Sequence, residues 1–199
     1  DGQLNPVRLG VAFLRRLRER QIRIVQNEPT PPRPDAGITV IASGAWTPQV
    51  TQALGWSPPI KPIRGQLLAT PPLPATLRHT ILGSSFYYWQ LVQGHVAAGG
   101  TLEDVGFTPG TDPNDLAAIR AEMAVLFPAL AAIPTARAWS GFRPFCEDLK
   151  PVIGRVPGHE RLFVAAGHFK KGIMLAPVTG KILADLITTG RTDLPIAPF

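Results

Sequence analysis

One cysteine, Cys146, stands in 199 residues. It excludes an internal disulfide and suits a reducing compartment, the cytoplasm by default. The four histidines, His79, His95, His159 and His168, have no metal-ligand spacing, so no metal is expected. No apolar run approaches the roughly 20 residues that cross a bilayer, and the start has no signal-peptide core; no membrane span is expected. Charged residues make up only 17% of the chain. Their basic excess, +6, is dispersed except in Arg15-Arg16-Leu17-Arg18-Glu19-Arg20. That cluster suits the solvated face of a helix, so nucleic acid is not an expected partner. Also missing is any Gly-x-Gly-x-x-Gly after a strand, the backbone cradle of a dinucleotide pyrophosphate. Gly180-Lys181 lacks the first glycine and the Ser or Thr of a phosphate loop.

What remains is apolar, 45% of residues, enough to bury the core of one large domain or two small ones. From Pro6 to Arg20 the positions Val7, Val11, Phe13, Leu14 and Leu17 share a helical face. Ile22-Arg23-Ile24-Val25 alternates like a short strand, and the prolines from 29 to 34 make an extended connector. Ile38 to Ala42 is predicted as a buried parallel strand running into Ser43-Gly44-Ala45-Trp46. Between Pro58 and Thr101 short β segments, 65–69, 80–82, 86–89 and 95–98, imply a mainly antiparallel sheet. Asp112-Pro113 opens a helix that ends before Phe127-Pro128. A second buried strand ends at Gly167, and a helix spans Gly172 to Ile187.

The expected class is α+β, a mixed α/β chain in which two αβ segments flank a β-rich insertion. The expected division is 1–57, 58–138 and 139–199, the outer two belonging together. Asp1 to Pro6 lack an initiator methionine and lead straight into a helical pattern, as expected of a fragment or processed chain.

The two strands that end in small residues would let a flat ligand approach the backbone. On pattern alone, ordinary termination by glycine explains them as well. Arg143 sits in the aromatic run Trp139-Ser140-Gly141-Phe142-Arg143-Pro144, and a partly desolvated guanidinium needs an anionic partner. Spacing leaves two partners open, a ligand carboxylate or a structural ion pair with Glu147 or Asp148. Tyr87 and Tyr88 point to opposite faces of one strand, so one of them can meet a pocket. Cys146 has no base beside it in sequence and is expected to be a bystander.

Asn5-Pro6, Ala42 to Trp46, Arg64-Gly65-Gln66, Trp139 to Pro144, Asp148-Leu149-Lys150-Pro151-Val152-Ile153-Gly154 and Gly167 to Pro177 together resemble the glycine oxidase and D-amino-acid oxidase family over nearly the whole chain. The resemblance implies the C-terminal part of an FAD-binding Rossmann-like domain interwoven with an antiparallel substrate sheet. It implies FAD as cofactor and a small amino acid as substrate: glycine, sarcosine or a D-amino acid. Hydride would pass from Cα to flavin N5, and the imine would hydrolyse to a keto acid and ammonia. By the same resemblance Arg143 anchors the substrate carboxylate, Tyr87 supplies a pocket hydroxyl, and Lys170 stands where relatives carry an arginine. Gly44, Trp46, Gly167, His168, Phe169, Lys170, Lys171, Gly172, Ile173 and Met174 would line the flavin. Sarcosine oxidases tether flavin through a cysteine, which aligns near Gly141, so covalent attachment at Cys146 is not expected. The missing phosphate cradle implies an N-terminal segment or partner chain that completes the site. The alternative is an inactive or subunit-like remnant acting as an interaction module, and homo-oligomerisation stays open.

Overall fold

The computed structural model describes residues 4–27, 37–91 and 93–196. Helix α1 (Pro6–Glu19) starts where its signals predict: Asn5 Oδ1 accepts from the N–H groups of Val7 and Arg8 at 3.0 and 3.1 Å, and Pro6 takes the first turn. No residue of α1 is buried, and Val7 is 73% exposed. On its apolar face Val7, Val11 and Phe13 are exposed, while Leu14 and Leu17 are half-buried. The strand expected at 22–25 does not form; Ile22, Ile24 and Val25 lie exposed with no ladder. The proline connector lies outside the described residues.

The chain continues through β1 (Thr39–Ile41), a 3₁₀ turn at Gly44–Trp46, and α2 (Thr47–Thr51). Next come β2 (Lys61–Pro72), β3 (Ile81–Leu82), β4 (Tyr87–Gln90) and β5 (His95–Gly99). Helix α3 (Pro113–Leu126) is capped by Asp112, which accepts from Asn114 N–H at 2.7 Å. It is followed by β6 (Arg137–Phe145), β7 (Val152–Arg155), β8 (Leu162–Ala166) and α4 (Gly172–Thr189).

The strands form two sheets. A five-stranded antiparallel sheet has the order β3-β4-β5-β2-β6. A three-stranded sheet has the order β1-β8-β7, with β1 parallel to β8 as expected of Ile38 to Ala42. The segment expected to leave the larger sheet at 139 stays in it to Phe145, because β6 pairs with β2 from Arg137 through Phe145.

One face of the larger sheet, with Leu68, Tyr88, Val96 and Ala98, packs on Ile119 and Met123 of α3. Leu68, Val96, Ile119 and Met123 each contribute roughly 1.5–3 kcal/mol by this burial. Helix α4 lays Ile182 and Leu183 on Ile153 and Phe163 of the smaller sheet and ends at Gly190, whose φ of 75° suits the left-handed cap. With mean hydropathy 1.3 over 18 residues, α4 has the length and apolarity of a membrane span, which the search for long apolar runs had not singled out. In the fold its core stripe is the lid of the three-stranded sheet.

Candidate active site

The face of the large sheet away from α3 is built from alternate residues of each strand. Along β2 these are Ile63, Gly65, Leu67 and Ala69; the register sets Arg143, Gly141, Trp139 and Arg137 of β6 beside them. Gly99 and Ala97 of β5 continue the rows of Leu67 and Ala69, and Tyr87 and Trp89 of β4 lie beyond. Glycine at 65 and 141 leaves the row between Ile63–Arg143 and Leu67–Trp139 without side chains, and Gly99 leaves a gap in the row of Leu67 and Trp139. Trp139 stands in that row, and Trp89 in the next row with Ala97, Ala69 and Arg137.

Over the tryptophan rows lies a cleft of about 780 Å³. Its floor includes Leu67, Ala69, Ala97 and Trp139, and its opposing walls are the start of α1, Leu4 to Arg8, and Ile173 at the start of α4. Sequence reasoning assigned no role to His95, Arg137 or Trp89, all of which line this cleft together with Trp139. His95 Nδ1 lies 2.8 Å from the Thr70 carbonyl, and the Arg137 guanidinium stacks 4.7 Å above the Trp139 ring. The strand alternation that places them was the available signal.

Arg143 reaches from its own row back over Gly65. A β-carbon at residue 65 would fall 1.8 Å from Arg143 Nη1. The guanidinium thus lies beside the cross-strand row of Tyr87, Gly99, Leu67 and Trp139. Its Nη1 donates to the Thr101 carbonyl at 2.8 Å. Burial lowers its pKa, and the nearby Glu103 charge partly offsets this. Among the described residues Arg143 has no carboxylate within salt-bridge distance. The two acids that spacing offered are occupied: Glu147 lies 3.9 Å from Lys61 Nζ, and Asp148 accepts from the Lys150 N–H at 3.1 Å. Neither Arg143 nor Tyr87 borders the cleft directly; both adjoin it on the same face.

The glycine turn comes to the same end. Gly167 has φ 80° and Phe169 φ 49°. Phe169 N–H donates to the Pro144 carbonyl at 2.9 Å, and its ring meets Phe145 edge-on at 5.0 Å. The turn is thereby pinned one residue from Arg143. His168 Nε2 lies 2.9 Å from Thr179 Oγ1, and burial lowers its pKa, keeping the imidazole neutral at pH 7. Lys170 Nζ lies 5.5 Å over the Phe169 ring, while Lys171 N–H donates to the His168 carbonyl. Gly172 opens α4, Ile173 borders the cleft, and Met174 points out, 71% exposed. Pro177 donates no hydrogen bond, so the Ile173 carbonyl at the cleft lacks its usual helical donor.

Gly44 and Trp46 are placed differently. Gly44, with φ 55°, opens the 3₁₀ turn. Trp46 stacks on Phe107 at 5.1 Å and meets Phe142 edge-on at 6.0 Å. Phe142 alternates with Arg143, so these contacts tie Trp46 to the opposite face of β6 rather than to Arg143 and Tyr87.

Residues 1–186 match the family described as FAD dependent oxidoreductase. A glycine oxidase of Pseudomonas putida is 31% identical over 164 residues, covering 82% of this chain and 45% of that protein. The hydrogen cyanide synthase subunit HcnC of Pseudomonas aeruginosa is 31% identical over an alignment covering all of this chain and 52% of that one. The crystal structure of glycine oxidase from Geobacillus kaustophilus superposes with a TM-score of 0.79 at 29% identity, covering 86% of this chain and 50% of that chain. This chain thus spans about half the length of the curated relatives it matches. With a mixed helix and sheet architecture similar to that of glycine oxidase, the chain belongs to the FAD-dependent oxidoreductase family.

Proposed function

We propose that this chain forms the substrate-binding wall of an FAD-dependent oxidase or dehydrogenase of small amino acids, such as glycine, sarcosine or a D-amino acid. The observation that carries the reading is Arg143: a half-buried guanidinium without an acidic partner among the described residues, set over glycines beside a cleft. An amino-acid carboxylate is a bidentate match for such a group. Tyr87, 43% exposed on the same face, would orient the substrate with its hydroxyl. The Gly167–Gly172 turn and Ile173 would hold the flat ring system, for which a 780 Å³ cleft has room. FAD, when bound, supplies the two-electron acceptor for the substrate carbon–nitrogen bond. Arg143 and Tyr87 bind and orient the amino acid, and the tryptophans and Ile173 keep water from it. The imine leaves to hydrolyse to an oxo acid and the free amine, ammonia from a primary amino acid and methylamine from sarcosine.

The residues present fit a flavin ring but offer no Gly-x-Gly-x-x-Gly for its pyrophosphate. Completion by a dinucleotide-binding segment, in the same polypeptide or a partner, belongs to this reading. The isolated 199 residues should bind FAD poorly and turn over nothing. The test joins the chain to such a segment and assays glycine, sarcosine and D-amino acids for oxo acid and for ammonia, or methylamine in the case of sarcosine. FAD-loaded protein without turnover on any of them sinks the oxidase reading. In the active form, Arg143→Leu should cost about 2–5 kcal/mol of substrate binding.

A second reading, a subunit-like interaction module, is favoured by the exposed Val7, Val11 and Phe13 of α1 and by the relative HcnC, named as a subunit. Co-purification with a partner chain and no flavin would select it.

A further inference from the structure

The tripeptide Arg64-Gly65-Gln66 of β2 works on both faces of the sheet. Gly65 opens onto the Arg143 guanidinium, while Arg64 and Gln66 turn to the other side and converge on Glu103. Arg64 Nε donates to Glu103 Oε2 at 2.8 Å, and Arg64 Nη2 bonds the same oxygen. Gln66 Nε2 donates to Oε1 at 2.8 Å, and the Thr101 hydroxyl donates to Oε1 as well. That hydroxyl accepts from the Gln66 N–H at 2.7 Å. The backbones of Arg64 and Glu103 bond reciprocally at 2.9 and 3.0 Å, and Gly100 N–H donates to the Gln66 carbonyl at 3.0 Å. Segment 100–103 is thus fastened to β2 by main chain and side chain together. The Thr101 carbonyl it carries is the group to which Arg143 Nη1 donates.

We propose that Glu103 is a positioning residue for Arg143, acting through Thr101. The cluster of Arg64, Gln66 and Glu103 fixes the Thr101 carbonyl, which orients the guanidinium before substrate arrives and leaves its remaining donors for the carboxylate. Two physical consequences favour binding. The long side chain has already lost its rotamer freedom, so less entropy is lost when the ligand is taken up. The Glu103 carboxylate is paired directly with Arg64 and makes no ion pair with Arg143, which feels its charge only at longer range. This inference rests on Arg143 being the carboxylate anchor.

Acetate, the simplest carboxylate, is titrated by flavin absorbance against the FAD-loaded protein joined to its dinucleotide-binding segment, alongside KM and kcat for the substrate. In Glu103→Gln and Thr101→Val, acetate should bind about tenfold more weakly, and KM should rise more than kcat falls. Thr101→Ser, which restores the hydroxyl, should recover the affinity. Thr101→Val keeps the carbonyl and decides the matter if Glu103→Gln does not fold. Arg143→Leu separates the two claims. If it leaves acetate affinity unchanged, the anchor reading falls and this inference falls with it. If Arg143→Leu weakens acetate while Thr101→Val does not, Glu103 is structural only and the inference alone is overturned.

Discussion

The guanidinium of Arg143 occupies the place where a side chain of residue 65 would stand, with Nη1 only 1.8 Å from the position of a β-carbon there. Gly65→Ala should therefore displace the far end of Arg143 rather than unfold the sheet. The expected cost is about 1–3 kcal/mol of stability in urea unfolding, with acetate affinity reduced at least about tenfold. Unchanged affinity would show that the guanidinium does not bind from this position.

Gly167 raises a similar question at the turn. With φ 80°, and Cys146 Sγ 2.6 Å from where a β-carbon would sit, Gly167→Ala combines backbone strain with overpacking. A loss of about 2–4 kcal/mol is expected, read as a lower urea midpoint.

Cys146 itself should be chemically silent. It is buried, and burial first, then the charge of Asp148, pushes its thiol up to about 11. A disulfide reagent at neutral pH should leave folded protein unmodified and titrate one thiol in urea. Rapid labelling of the folded form would contradict the packing around Gly167.

Glu122 of α3 is the clasp of the β3–β4 turn. It accepts from the Ser84 hydroxyl at 2.6 Å, the Tyr88 hydroxyl at 3.0 Å, and the N–H groups of Ser85 and Phe86. Glu122→Ala leaves those donors unmatched and should destabilise by about 1–3 kcal/mol; Tyr88→Phe removes one bond and should cost about 1 kcal/mol. Equal effects of the two in thermal unfolding would argue against the clasp.

Acid should weaken the fold in two windows. Burial lowers the His168 pKa below 6.5, so the unfolded chain binds that proton more readily and stability declines as pH falls below about 6.5. For Glu103, burial would raise the pKa, but bonds from Thr101, Gln66 and Arg64 outweigh it; for Glu122, Ser84, Tyr88 and the backbone donors do the same. Both carboxyls end below 4.5, so the stability they contribute is present above about pH 4.5 and lost as pH falls through their folded values. Urea midpoints from pH 8 to 3 check the sign. His168→Gln should flatten the upper window only.

Much of the local structure was legible. Asn5-Pro6 and Asp112-Pro113 mark the starts of α1 and α3 because capping is a matter of neighbouring residues. The errors lie where pairing decides. Ile22 to Val25 alternates like a strand but has no partner, and an isolated strand gains no ladder bonds. The sequence pattern marks only 65–69 as a β segment here, yet β2 spans Lys61–Pro72. Pro62 lies beyond the β5 pairing, where only β6 flanks it, and Pro72 follows the register shift after Ala69. A proline is tolerated at such edge and bulge positions.

For the site, the sequence alone determined the family-like order of motifs, the lack of a phosphate cradle, and the need of Arg143 for an anionic partner, because composition and the permanent charge of a guanidinium are local facts. Tertiary structure decided which partner was excluded, by engaging Glu147 and Asp148 elsewhere, and it parted Trp46 from the face of Arg143. It also joined Gly65 to Arg143 and Glu103 to Thr101. The approach of Arg143 to Gly65 bridges 78 positions in sequence and depends on the register of β2 against β6, whereas the Thr101–Glu103 bond is local and gains its reach from the pairing of Glu103 with Arg64.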